Sequence, residues 1–343
     1  MTISRRLFLR GSAQWMLAAP LLGVAAAPLL AAPPPPGIDY SLITKPYVGK
    51  KVSARDITEK DVGGLTVFSG SGCNVVALRG PEGALVVDGG DAINAALLAK
   101  ALHGKLGTKR IHTLVNTHWH PDQTGLNETA ARDRATIVAH QVSKLSSGRK
   151  LRSPLYDGTI APLPEAARPT RTTYDRDSFD FAGEEVQIRH LPGAHTDGDV
   201  YVFFPKRNVL VTGGPVASDR WPVIDYLNGG FMHGFVRSYE MLAELAKPDT
   251  IVVPANGPVM TGADVAKMKD LYWALFKQFF ILFNKGFGPV DVAEFNAGKE
   301  FKTATPVVAE RPLVNNPVVK QLGDPSQFLE FAYRSTQIAT LPF

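Results

Sequence analysis

The sequence predicts a mixed α/β fold on three observations. Short β-branched runs recur between Gly-rich turns, a stretch of helical period follows the third run, and the order strand, polar loop, helix occurs twice. Leu65–Phe68, Cys73–Leu78 and Ala84–Val87 read as a meander of strands. Ala92 to Leu106 then places Leu97, Leu98, Ala101 and Leu102 on one side of a helix. Ile111–Val115 is a buried apolar strand, and Thr136–Ala139 is another, with a helix from His140. Residues 146 to 176 carry Pro154, Pro162, Pro164 and Pro169 with no clear period, which suits a long loop near a site mouth. Glu185–His190 alternates as a strand, and Val200–Phe204 and Val209–Val211 follow. Near the end, Asp264 to Asn284 carries Tyr272, Phe276, Phe279, Phe280 and Phe283 at helical spacing. That stripe packs on the domain, or serves as an oligomer face or an apolar pocket wall. Lys285-Gly286 stops the helix with Pro289 beyond, and Ser326 to Thr336 is a further helix after Asp324-Pro325. There is no internal repeat.

The N-terminus predicts where the protein works. Ser4-Arg5-Arg6-Leu7-Phe8-Leu9-Arg10 matches a twin-arginine export signal, and an uncharged apolar stretch runs from Trp15 to Ala32. Pro20 and Pro28 interrupt that stretch, so residues 1–32 read as a removed signal and not as a stable membrane anchor. The twin-arginine translocation machinery is thus an expected partner and the periplasm the expected compartment. Residues 33–59, opening on Pro33 to Pro36, read as linker and N-terminal segment. Of 343 residues, 45% are hydrophobic and 20% charged, as in a packed enzyme. Without Arg5, Arg6 and Arg10, 34 basic residues face 32 acidic ones, which gives no case for nucleic-acid binding. Cys73 is the only cysteine, which excludes an internal disulfide and a Cys-rich zinc site.

The chemistry concentrates in Asn116-Thr117-His118-Trp119-His120-Pro121-Asp122-Gln123, directly after the strand at Ile111–Val115. Imidazole and carboxylate groups crowded on a strand-end loop suit a first-row metal such as zinc. The stretch resembles the H-x-H-x-D-H loop of the metallo-β-lactamase fold superfamily. Asp88-Gly89-Gly90 resembles the family's strand-Asp-Gly element beneath that loop, and Leu191 to Asp199 its second metal loop, with His195 as the third histidine. The resemblance implies an αββα sandwich of two mixed sheets flanked by helices, over residues 60–262. A helical extension occupies 263–343.

Three positions depart from the family pattern. Gln123 stands for the last histidine of the first loop, Gly214 for the aspartate or cysteine ligand, and Asn256 for the final histidine. The triad His118, His120 and His195 is complete, so one Zn2+ per chain is expected, with the fourth position open to a water whose pKa falls to about 7. Asp122 would orient or deprotonate that water, and Gln123 and Asn256 would donate hydrogen bonds to the developing oxyanion. His233, Asp219 and Asp225 are weaker candidates, for substrate contact or support. The resulting expectation is an exported hydrolase of a small-molecule ester, lactone, amide or phosphoester. A mononuclear iron oxidoreductase and a non-catalytic binding protein of the same fold are the alternatives, and metal content separates them.

Overall fold

The computed structural model describes residues 46–301 and 309–339. The export signal and the Pro run therefore lie outside the described residues. Strands β1 (Thr58–Val62), β2 (Leu65–Ser69), β3 (Val75–Gly80) and β4 (Gly83–Val87) form an antiparallel meander. Helix α1 (Ala95–Leu106) leads to β5 (Ile111–Val115), and α2 (Asn127–Arg132) to β6 (Thr136–His140). Both strands run parallel to the edge of the meander. After α3 (Gln141–Ser147), β7 (Leu151–Arg152) and β8 (Thr159–Ile160) make a small hairpin, and β9 (Arg171–Thr173) closes the first sheet beside β6.

The second sheet begins with β10 (Arg176–Phe181), β11 (Glu184–His190), β12 (Val200–Phe204) and β13 (Val209–Ala217), all antiparallel. Helix α4 (Met232–Leu245) returns the chain to β14 (Ile251–Asn256), parallel to β13, and β15 (Met260–Thr261) follows. Four helices follow among the described residues: α5 (Gly262–Asn284), α6 (Pro289–Asn296), α7 (Pro317–Leu322) and α8 (Ser326–Ala339).

Side-chain alternation explains the layering. Along β4, Leu85 and Val87 face the second sheet while Ala84 and Val86 face α1. The inter-sheet core gathers Val67, Val76, Val115 and Val138 against Val186, Val202, Phe204 and Val253. Leu98, Leu102 and Leu106 of α1 cover the outer face of the first sheet. Helices α4, α5 and α8 cover the second through Phe235, Tyr239, Tyr272 and Phe328. Strands covered on both faces read as continuous apolar runs, and so they do here. The result is the expected αββα sandwich with C-terminal helices. No helix among the described residues is long and apolar enough to cross a membrane.

Some elements differ from the sequence reading. The strand expected from Cys73 starts at Val75, because Asn74 instead bonds β14: its N–H donates to Ala255 O at 2.8 Å and its amide to Pro254 O at 2.9 Å. Residues 146–176 are not one loop but hold β7, β8 and β9, each too short to show a period. The strand at Val209 continues to Ala217 through irregular register at Gly213. Pro289 does not merely follow a helix but opens α6, where its missing N–H costs nothing. Of the aromatic stripe, Tyr272 and Phe279 are fully buried against the domain, whereas Phe280 is exposed.

Candidate metal centre

Strand β5 ends at Val115, and the next residues turn across the seam between the sheets. Asp88, at the end of β4, holds that turn. Its carboxylate accepts from Thr117 N at 2.7 Å and Thr117 Oγ1 at 2.9 Å, and its own φ is +65°, a strained value for a non-glycine residue. Burial pushes Asp88 up to about 8, against the two Thr117 bonds. Val200 N then donates to Thr117 O at 2.7 Å, joining this loop to the second sheet.

His118, His120 and His195 converge there, all buried, with one ring nitrogen of each within 4.8 Å of the others. Each ring is oriented from behind. His118 Nδ1 lies 3.3 Å from Thr117 Oγ1, His120 Nε2 lies 3.0 Å from Asp225 Oδ2, and His195 Nδ1 lies 2.6 Å from Val223 O. The opposite nitrogens face inward: His120 Nδ1 and His195 Nε2 are 2.8 Å apart, and His118 Nε2 is buried without a partner. Burial lowers the pKa of all three, with neighbouring imidazoles adding to it for His118 and His120. Neutral imidazoles with inward lone pairs and outer partners that fix the tautomer are what a divalent metal requires. The group fits a metal, and an orphaned inward nitrogen is hard to explain without one.

The carboxylate beside the triad is engaged. Asp122 Oδ1 accepts from the Tyr156 hydroxyl at 2.7 Å, and Oδ2 from Gln123 Nε2 at 3.2 Å. Burial raises Asp122 to about 6, more than those two bonds lower it. The Gln123 amide is thus turned to Asp122, and its Oε1 is buried without a partner. Asn256, at the end of β14, lines the same cavity, and its amide has no hydrogen-bond partner among the described residues. Gly214 is required by close approach: a Cβ there would collide with the His195 ring and lie 2.9 Å from His118 Cε1. The rings themselves occupy the space a side chain would need.

The structure brings His118, His120 and His195 together, with Asp122, Gln123 and Asn256 lining the same cavity. Asp225 is buried behind His120, while Asp219 pairs with Arg220 outside the triad. His233 is exposed on α4, its ring 5.8 Å from Phe276. Sequence reasoning missed Tyr47, Asp91 and Tyr156. Tyr47 donates to Asp91 Oδ1 at 2.9 Å and stacks at a tilt on Tyr156 with ring centres 4.5 Å apart. Their only sequence signal is placement in segments that border the site: Tyr47 in the chain before β1, Asp91 directly after Asp88-Gly89-Gly90, and Tyr156 in the β7–β8 hairpin.

The sequence pattern of the metallo-beta-lactamase superfamily matches residues 69–255. A linear primary-alkylsulfatase from Pseudomonas sp. is 24% identical over 256 residues, 63% of this chain and 48% of that protein. The chain therefore spans about half the length of that curated relative. Among solved structures, a stereoselective inverting sec-alkylsulfatase from Pseudomonas sp. aligns with TM-score 0.55 at 14% identity, over 83% of this chain and 52% of that one. The DIM-1 metallo-beta-lactamase aligns with TM-score 0.50 at 18% identity, over 63% of this chain and 97% of that one. These structural likenesses are of fold.

Proposed function

The chain belongs to the metallo-beta-lactamase superfamily, and from that premise we propose that it is a hydrolase that holds one zinc on His118, His120 and His195. The observation that carries this is the set of three buried neutral imidazoles, each fixed from behind by Thr117, Asp225 or the Val223 carbonyl. When bound, zinc would supply a Lewis acid that makes water a nucleophile near neutral pH. The chain's own residues do the rest. Asp122 accepts a proton from, and orients, the attacking water, held in place by Tyr156 and Gln123. Asn256 offers an unengaged amide to the oxyanion that develops on the substrate. With both Asp122 oxygens bonded and Gly214 and Asn256 in place of ligands, a second metal has no strong donor set.

The substrate class is an ester, lactone, amide or phosphoester, and the alkylsulfatase relative adds sulfate esters to it. The protein works in the periplasm after export by the twin-arginine route, a reading supported by Arg5-Arg6 and the apolar stretch after them. The deciding experiment is metal analysis of the purified mature protein joined to a panel of those esters. Zinc near one equivalent with turnover of at least one class is expected. Iron, or no retained metal, would overturn the reading. For export, changing both arginines to lysine should strand the protein in the cytoplasm, and unchanged periplasmic yield would refute that part.

A further inference from the structure

Two cavities adjoin beside the candidate metal centre. The inner one, about 190 Å³, reaches His118, His195 and Asp122, and Leu155, Trp221 and Val223 are also in its lining. The outer one, about 610 Å³, is lined by Lys50, Ser69, Asn74 and Asp219. Gly72, Asp91, Arg220 and Asn256 line both and form the neck between them. We propose that the outer cavity is a subsite for a neutral, polyhydroxylated portion of the substrate, joined through the scissile ester to a small apolar acyl group in the inner cavity. This rests on the hydrolase reading above.

Size and chemistry both support that division. Ligand sites commonly enclose about 300–1,000 Å³, so the inner cavity alone is too small for more than an acyl group, while the pair is large enough for both parts. The outer walls carry charges of both signs. Lys50 makes no ion pair among the described residues, and Arg220 is bonded to Asp219 through Nε at 2.9 Å and a terminal nitrogen at 3.0 Å. A purely anionic group there would meet Asp91 and Asp219, and a cationic one Lys50 and Arg220. An alkyl chain would strip water from all of them and from the Asn256 amide without replacing a bond. Hydroxyl groups donate and accept, so they satisfy ammonium, carboxylate and amide in turn. Leu155, Trp221 and Val223 in the inner lining suit the acyl end, with the ester carbon beside Asp122, His118 and His195.

Two matched probes test this: 6-O-butanoyl glucose and hexyl butanoate, which share the acyl group. Binding of each to Asp122→Asn is measured by calorimetry, and kcat/KM of each by the wild-type protein. The sugar ester is expected to be favoured about tenfold or more in both, and Lys50→Leu with Arg220→Leu to abolish that preference. Preferential binding of the sugar ester without turnover of either would support the subsite and overturn the hydrolase reading for carboxylic esters. Turnover of both with hexyl butanoate equal or preferred would overturn the subsite and leave hydrolysis standing. Failure of the sugar ester to bind, or a preference untouched by the two substitutions, would also overturn it.

Discussion

Asp122 is where the proposed mechanism is most exposed to test, because one carboxylate is asked to act without holding the metal. Both its oxygens are already bonded, to Tyr156 and Gln123. Asp122→Asn keeps the Tyr156 bond, and a flipped Gln123 can accept from the new amide through its unpartnered Oε1. The variant should therefore keep its metal while turnover falls about 10²–10⁴-fold. His195→Ala removes an inward nitrogen and should lose the metal. Equal metal loss in the two variants, read by elemental analysis, would make Asp122 a ligand. Asp225 acts one bond further out, on His120 Nε2 at 3.0 Å. Asp225→Ala should weaken zinc affinity about 10–100-fold, measured by chelator competition, and an unchanged affinity would remove Asp225 from the metal's support. The sequence made the triad, Asp122 and Asn256 legible because spacing and strand ends mark them. Asp225 was legible only as a weaker candidate, and Tyr156 and the Val223 carbonyl not at all, since all three arrive from connections whose residues carry no period.

At the scale of elements, the strands that face two layers were read nearly to the residue, as at Ile111–Val115, because burial on both faces leaves an uninterrupted apolar run. Edge strands such as β9, three residues long, leave no such trace, and neither does α6 behind its proline. The terminal helices belong to the core: Tyr272 of α5 is fully buried, in ring contact with Trp221, Phe235, Tyr239 and Phe328. Tyr272→Ala should cost about 3–5 kcal/mol, read from denaturant unfolding, and a loss below one would mean the extension is only loosely attached. A second test concerns the junction of β6 and α3 with β11. His140 and His190 stack there with ring centres 3.8 Å apart, and their Nε2 atoms donate to Tyr174 O and Asp197 O. Burial, then His140, lowers His190 to about 4, against the opposing pull of the Asp197 carbonyl and Asp175. The unfolded chain, with its histidine near about 6.5, takes up the proton first. This contribution is therefore complete above that pH and is lost as pH falls toward 4. His190→Gln should lose less unfolding free energy than wild type between neutral pH and pH about 5. Parallel losses would show that the pair does not titrate in this window.

Across the whole molecule, the candidate metal centre is a joint between the two sheets. His118 and His120 follow β5 of the first sheet, while His195 lies between β11 and β12 of the second. Protein bonds already cross the same seam, from Val200 N to Thr117 O at 2.7 Å and from Asn74 N to Ala255 O at 2.8 Å. A metal held by all three histidines binds only when both sheets are in place, so its binding energy adds to the stability of the fold as a unit. At a free zinc concentration a hundredfold above the dissociation constant, the gain is about 2.7 kcal/mol. Chelation should lower the thermal midpoint in a single transition, and zinc should restore it with saturation near one equivalent per chain. Saturation near two equivalents would mean that Asp122 gives up Tyr156 and Gln123 to a second ion. A midpoint indifferent to zinc would mean that the three imidazoles are held together by their outer partners alone, and the seam would then be a protein joint with no resident metal.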